Sequence, residues 1–126
     1  MSIDGEANAV NALLPGRVGL FVRLAAHPGG RAALLDALHR YTDELAAEPA
    51  TEAMVISLDP DDGDIVWLFE WFSDEDGFET HRSTVAFADM MAELPDLLAA
   101  PPGLLRIDPL RLHLQSAVLH DSVEQA

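Results

Sequence analysis

His81 is the side chain in this sequence best suited to acid–base chemistry. An imidazole changes its charge near neutral pH, so it can accept the proton of a phenolic hydroxyl group. In a helix, His81 shares one face with Phe78, three residues earlier, and Val85, four residues later. The alternative is a structural histidine that caps or packs at the end of a helix near Ser83.

Aromatic residues alternate along the segment that precedes this histidine. Trp67, Phe69 and Trp71 share one strand parity, whereas Phe72 and Phe21 have the other parity of their strands. One set is expected to line a pocket, where aromatic walls stack on a planar substrate. Aromatic strand residues also form cores and subunit interfaces, and the parity that faces the helices stays open.

Glu70 is flanked by apolar residues in the same segment. A carboxylate in such a place needs an ionic or hydrogen-bonding partner. Arg23, in the first predicted strand, is the natural partner. The two residues form either a structural ion pair between strands, or a site in which the arginine holds a substrate phenolate or an oxyanion.

The sequence contains no pattern typical of a metal site. None of the five histidines pairs with another at a helical spacing of four residues. The acidic run 59–64 lacks the ligand pattern of a calcium loop and predicts a solvated hairpin tip. We therefore expect no metal site.

Composition narrows the class of protein. The 126 residues include 22 acidic and seven basic side chains, all seven arginine, for a formal charge of −15. This charge repels nucleic acids and anionic lipids, so neither is expected as a partner. The chain has no cysteine. Its apolar runs are shorter than the roughly 18 residues that span a membrane and its first residues are acidic, which predicts a cytoplasmic protein.

Hydrophobic spacing predicts the order strand, helix, strand, strand, helix, strand. Leu34, Leu38, Tyr41 and Leu45 mark the buried face of a first helix, which ends near residue 48. Ser73 is the predicted N-cap of the second helical region, which Pro95 kinks or ends. The predicted strands are residues 17–25, 54–58, 65–72 and 105–114, the last interrupted by a proline.

This order is typical of the α+β ferredoxin-like fold, a split βαβ arrangement (βαββαβ). Its four-stranded antiparallel sheet has the order 4-1-3-2, with the helices on one face. Residues 17–115 form the predicted domain, between flexible tails at residues 1–16 and 116–126. Because the strands are apolar on both faces, we expect a homodimer that joins its sheets into an α+β barrel.

The motif around His81 resembles the signature of the antibiotic biosynthesis monooxygenase family, whose members are small dimeric ferredoxin-like proteins. In that signature a strand carries Glu, any residue, an aromatic, any residue and Asp, and a short helix with a histidine follows. The matching residues are Glu70, Trp71, Phe72, Ser73, Asp74, Phe78, His81, Ser83 and Phe87. After the first helix the sequence differs from the family, with Ala50 where a glycine is usual.

The resemblance implies oxygen chemistry without metal or flavin on hydroquinone-like or polyketide aromatic substrates. Triplet dioxygen reacts slowly with closed-shell molecules, so a base must first convert the substrate into an anion that can donate one electron. His81 is the candidate base. The candidate substrate-binding residues are Phe21, Arg23, Trp67, Phe69, Glu70, Trp71, Phe72, Phe78 and Phe87. The alternative is a non-redox isomerase or small-molecule-binding dimer with the same pocket.

Overall fold

The structure is a computed structural model that describes residues 9–115. The described residues form two compact units, one of residues 16–108 and one that combines residues 9–15 with residues 109–115. In chain order the elements are β1 (Ala9–Leu13), β2 (Val18–Ala25), α1 (Arg31–Asp43), a 3-10 helix (Glu44–Ala47), β3 (Thr51–Leu58), β4 (Ile65–Phe72), α2 (Glu75–Arg82), α3 (Val85–Leu97), β5 (Gly103–Ile107) and β6 (Arg111–Gln115).

The larger unit contains a four-stranded sheet in the order β3-β4-β2-β5. Every neighbouring pair is antiparallel. Counted along this unit, the strands have the predicted order 4-1-3-2, read from the opposite edge. The ferredoxin-like α+β fold is therefore confirmed. No helix within residues 9–115 is long and apolar enough to span a membrane.

One face of the sheet packs against the helices. Residues 18, 20, 22 and 24 of β2 lie opposite residues 72, 70, 68 and 66 of β4, so these positions share a face. Val22, Leu24 and Leu68 join Leu38 of α1 and Leu94 of α3 in one buried cluster. Each buried side chain of this kind contributes about 1.5–3 kcal/mol of transfer free energy.

The first turn of α2 is fixed by Asp74 rather than by Ser73, so the predicted N-cap is wrong by one residue. The Asp74 carboxylate accepts a hydrogen bond from the Gly77 backbone N–H at 2.7 Å. Its extended backbone directs the side chain over the exposed N–H groups of the turn. A Cβ atom on Gly77 would lie 2.7 Å from that of Ala50, so glycine permits this close approach.

The terminal segments differ from the prediction. The strand predicted at 105–114 is interrupted around Pro109, and its two halves, β5 and β6, belong to different sheets. β6 pairs with β1 in a two-stranded antiparallel sheet, so the segment 1–16 predicted as a flexible tail contains a strand. A five-residue strand whose partner lies about 100 positions away leaves no local signal. The predicted tail 116–126 lies outside the described residues.

Helix α3 runs past Pro95 to Leu97. The proline lies in the last turn, where the loss of one backbone N–H donor interrupts little of the helix. The Leu98 N–H still donates to the Leu94 carbonyl at 3.0 Å. Pro95 therefore marks the end region of α3 without stopping it.

Candidate active site

A cavity of about 240 Å³ lies between the sheet and the helices of the larger unit. Aliphatic side chains of β2, β4, α1 and α3 form most of its wall. Four polar or ionisable side chains border it, namely Tyr41, Glu70, His81 and Arg82. An apolar cavity with a few convergent polar groups is typical of a small-molecule site.

His81 borders this cavity and is only 2% exposed. Its Nδ1 atom is 2.7 Å from Glu48 Oε1, and its Nε2 atom is 2.5 Å from the Tyr41 hydroxyl oxygen. The Thr51 hydroxyl also donates to Glu48 Oε1, at 3.0 Å. Both ring nitrogens of the imidazole therefore have hydrogen-bond partners.

The partners of His81 indicate where the protons lie when the imidazole is neutral. Burial, together with the Glu70 and Glu48 carboxyl groups, raises the pKa of Tyr41 far above its usual range. The Tyr41 hydroxyl therefore keeps its proton and donates a hydrogen bond to His81 Nε2. His81 Nδ1 then carries the ring proton and donates to Glu48, which as a carboxylate only accepts.

Aromatic rings surround the imidazole. The ring centroid of Phe72 lies 4.8 Å from that of His81, and those of Phe87 and Tyr41 lie at 5.3 and 5.7 Å. These rings hold the imidazole in place and exclude water from it. In such surroundings the hydrogen bonds to Glu48 and Tyr41 are stronger than they are in water.

Glu70 lies on β4 and is 6% exposed. Its Oε1 atom is 3.7 Å from His81 Nε2 and has no hydrogen-bond partner among the described residues. Burial, and secondarily the Glu48 carboxylate, raise the pKa of Glu70 to about 7. Its protonated and ionised forms therefore coexist near neutral pH.

The predicted pair between Arg23 and Glu70 does not form. In the antiparallel register Glu70 lies opposite Leu20, whereas Arg23 lies opposite Trp67. The two side chains thus project from opposite faces of the sheet. The Arg23 guanidinium carbon lies 6.0 Å from the centre of the Trp67 ring instead.

The predicted substrate-binding residues divide between the two faces. Phe21, Arg23, Trp67, Phe69 and Trp71 project away from the helices, and none of them borders the cavity. Phe21 and Phe69 pack against each other there, with ring centroids 4.8 Å apart. The structure therefore separates these five residues from His81.

The other predicted residues lie on the helix side of the sheet. Glu70, Phe78 and Phe87 border the cavity together with His81. Phe72 is fully buried behind the imidazole. The structure thus brings this second group of residues together around one cavity.

Tyr41 and Glu48 are site residues that the sequence did not identify. Tyr41 fits the apolar stripe of α1, so its spacing predicts only a core residue. The available signal was chemical, because a buried tyrosine hydroxyl usually needs a hydrogen-bond partner. Glu48 follows the 3-10 helix and approaches His81 only through the tertiary fold.

Comparison with known proteins shows the family of this chain. The model of the family described as antibiotic biosynthesis monooxygenase matches residues 17–93, which include Tyr41, Glu48, Glu70 and His81. No curated protein sequence matches the chain.

Solved structures with the same fold come from several bacteria. NE2512 from Nitrosomonas europaea, of unknown function, is 33% identical over 73% of this chain and 87% of its own, with a TM-score of 0.65. Rv0793 from Mycobacterium tuberculosis is 23% identical over 75% and 95%, with a TM-score of 0.69. PA3566 from Pseudomonas aeruginosa is 21% identical over 77% and 97%, with a TM-score of 0.70. The chain belongs to the antibiotic biosynthesis monooxygenase family.

Proposed function

We propose that this protein is a monooxygenase that oxidises a hydroquinone-like or polyketide aromatic substrate with dioxygen, without metal or flavin, and that His81 is its base. The observation that carries the proposal is the hydrogen-bonded chain Glu48–His81–Tyr41, which ends at an apolar cavity. A phenolic substrate in that cavity can pass its proton along this hydrogen-bonded chain. Dioxygen can occupy the same apolar space.

The first step removes a proton from the substrate. His81 Nε2 is occupied by the Tyr41 hydroxyl, so the substrate hydroxyl donates to the Tyr41 oxygen while Tyr41 passes its own proton to Nε2. The resulting imidazolium is stabilised by the Glu48 carboxylate on Nδ1. Tyr41 thereby relays the proton and His81 stores it.

The second step transfers electrons. The substrate anion gives one electron to dioxygen, and the two radicals combine to form a carbon–oxygen bond. The oxygen–oxygen bond then breaks, so that one oxygen atom stays on the ring and the other leaves as water. The substrate supplies all four electrons that reduce dioxygen, and two of its hydrogen atoms leave in the water, so no external reductant is needed.

A second copy of the chain is the proposed protein partner. The face of the sheet opposite the helices, here called the outer face, carries Phe21, Val55, Trp67, Phe69, Trp71 and Leu105. Phe21, Val55 and Leu105 are 42, 49 and 60% exposed. Contiguous apolar side chains of this kind mark an interaction surface.

A proton-transfer isomerase is the alternative function, and Glu70 is the observation that favours it. Its carboxyl group has a pKa of about 7 and lies 3.7 Å from His81. A base that removes a proton from one carbon and an acid that returns it to another would then share the cavity. Such a reaction consumes no dioxygen.

Dioxygen uptake separates the two functions. Purified, chelator-treated protein is mixed with 1,4-naphthohydroquinone in ¹⁸O₂, and wild type is compared with His81→Ala. We expect wild type to consume dioxygen faster than the uncatalysed reaction and to place one ¹⁸O atom in the product, and the variant to approach the background.

Uptake at the background rate across several such substrates contradicts the monooxygenase. If the wild type then incorporates solvent deuterium at carbon into an enolisable ketone without dioxygen, and His81→Ala does not, the isomerase is supported instead.

A further inference from the structure

Glu70 Oε1 is a buried polar atom without a protein partner. The residue is 6% exposed, and the oxygen has no hydrogen bond among residues 9–115. Nearly all buried polar atoms in native proteins are hydrogen-bonded, because an unsatisfied one costs about 1–3 kcal/mol. An exception that borders a cavity indicates a partner that is not part of the protein.

Among residues 9–115, the neighbours of Glu70 leave its Oε1 atom without a hydrogen-bond partner. The register neighbours of Glu70 on β2 and β3 are Leu20 and Met54, which are apolar. His81 Nε2 lies 3.7 Å from Glu70 Oε1 and already interacts with the Tyr41 hydroxyl. Glu70 borders the cavity, so a ligand there is in a position to bond to its carboxyl group.

Charge balance determines which form of Glu70 faces that space. His81 already interacts with the Glu48 carboxylate. If Glu70 were ionised as well, its carboxylate would have no counter-charge of its own. Arg82 borders the same cavity but pairs with Glu79 at 2.6 Å. Consistent with this arrangement, the pKa of Glu70 is raised to about 7. At lower pH it offers a ligand one O–H donor.

The cavity volume limits the ligand. An engineered protein cavity of about 150 Å³ holds a single benzene ring, and drug-sized pockets start at about 300 Å³. The present cavity, at about 240 Å³, lies between these values. Its wall is mostly apolar, which excludes a charged ligand on grounds of desolvation.

We propose that Glu70 anchors the ligand of this cavity, and that the ligand is an uncharged compound of one or two fused rings whose oxygen substituent hydrogen-bonds to the Glu70 carboxyl group. This inference deepens the proposed function, on which it rests for the identity of the cavity as the reaction site. It narrows the aromatic substrate class to small ring systems.

A binding experiment without dioxygen tests the inference. The probe is 1,4-naphthoquinone, whose oxygens only accept hydrogen bonds, and binding is measured by calorimetry under nitrogen. The chain has no cysteine and no lysine, so the usual covalent reactions of quinones with thiols and amines are avoided.

We expect the wild type to bind the quinone about tenfold more weakly above the pKa of Glu70 than below it, because ionised Glu70 has no proton to donate. Glu70→Gln keeps an N–H donor and is expected to bind equally at both pH values. Glu70→Leu should bind about tenfold more weakly at the lower pH. The exposed carboxyl of Glu44 provides the matched control, since Glu44→Gln should behave as wild type.

Two results would overturn the inference. In the first, Glu70→Leu is folded by circular dichroism and binds the quinone as tightly as wild type. In the second, anthrone, which has three rings, binds as tightly as naphthalene. If Glu70→Leu does not fold, the pH dependence of wild type against Glu70→Gln decides, and its absence overturns the role of Glu70. Failure of dioxygen uptake with normal quinone binding refutes the proposed function alone.

Discussion

At the level of single residues, the site depends on the two hydrogen bonds of the His81 imidazole. His81 interacts with Glu48 through one nitrogen and with Tyr41 through the other, and Glu70 lies beyond hydrogen-bond distance. Since His81 Nε2 is occupied, the imidazole reaches a ligand through Tyr41. The proposed reaction thus depends on a tyrosine whose position in the sequence looks purely structural.

Replacement of Tyr41 by phenylalanine tests this relay. Tyr41→Phe keeps the ring in the core and removes only the hydroxyl, so the fold should persist. We expect kcat for dioxygen uptake to fall about 100-fold with little change in KM, because a positioned acid–base group contributes about that much. Thr42→Val, which removes a hydroxyl from the next residue of α1, is the control. Unchanged kcat in Tyr41→Phe would show that the relay does not operate.

The raised pKa of Glu70 predicts a pH-dependent stability. It is about 7 in the folded protein, against an ordinary value of 4.5. Between these values the folded state binds more protons, so its stability is highest below the ordinary value and falls as pH rises towards 7. The loss is about 3 kcal/mol at most.

Chemical denaturation of wild type and Glu70→Gln measures this effect. Relative to the variant, wild type should lose stability between about pH 5 and about pH 8. The ionisable groups that face Glu70, namely Tyr41, Glu48, His81 and Arg82, are common to both proteins, so the difference between the curves reports the Glu70 carboxyl group and its interactions with them. Parallel stability curves would show that Glu70 is not a buried acid.

At the level of secondary-structure elements, the residues of the family motif position His81 so that it contacts Glu48. Alternation along β4 turns Glu70 and Phe72 towards the helices, and Asp74 then caps α2. His81 follows seven residues after the cap, in the last turn of α2.

Gly77 lies where α2 packs closely against the segment that follows the 3-10 helix. Its missing Cβ lets α2 approach Ala50, two residues after Glu48. We expect Gly77→Ala to lower the free energy of unfolding by about 1–2 kcal/mol, because the overlap outweighs the better helix propensity of alanine. Chemical denaturation measures the change. Gly63→Ala is the control, since nothing lies within 4 Å of a Cβ there. Equal stabilities of the two variants would contradict the packing argument.

The order of elements in the larger unit could be predicted from the sequence. Which side chains of β4 face the helices could not. Each element of the larger unit has a local signal, such as the stripe of α1 or the turn at 59–64, whereas β1 has none. On β4, however, the parity of Trp67, Phe69 and Trp71 is more apolar than the parity that contains Glu70. Hydropathy therefore favours burial of the aromatic set, whereas the fold buries the carboxyl group. Such a conflict between local pattern and fold is expected at a functional site.

At the scale of the whole molecule, both faces of the sheet are apolar but only one is covered by helices. We predict a mass of two chains in light scattering at micromolar concentration. Phe21→Glu places a charge on the outer face and should shift the mass towards one chain, whereas Val85→Glu, on the exposed side of α3, should not. A single-chain mass for the wild type would refute the dimer.

The net charge of the chain acts on the same scale. A formal charge of −15 lowers the local concentration of anionic molecules around the protein. This long-range repulsion and the apolar cavity wall both favour an uncharged ligand. In the proposed reaction, the substrate anion therefore forms inside the cavity, by proton transfer to the side chains that the protein supplies there.

The absorption spectrum of bound 4-nitrophenol, which differs between the phenol and the phenolate, tests whether the cavity takes a proton from a phenol. Below the solution pKa of this probe, we expect binding to wild type to produce the nitrophenolate band, and His81→Ala to bind the probe without it. A bound probe that remains a neutral phenol in wild type would show that Tyr41 and His81 do not accept a substrate proton, whatever the dioxygen consumption.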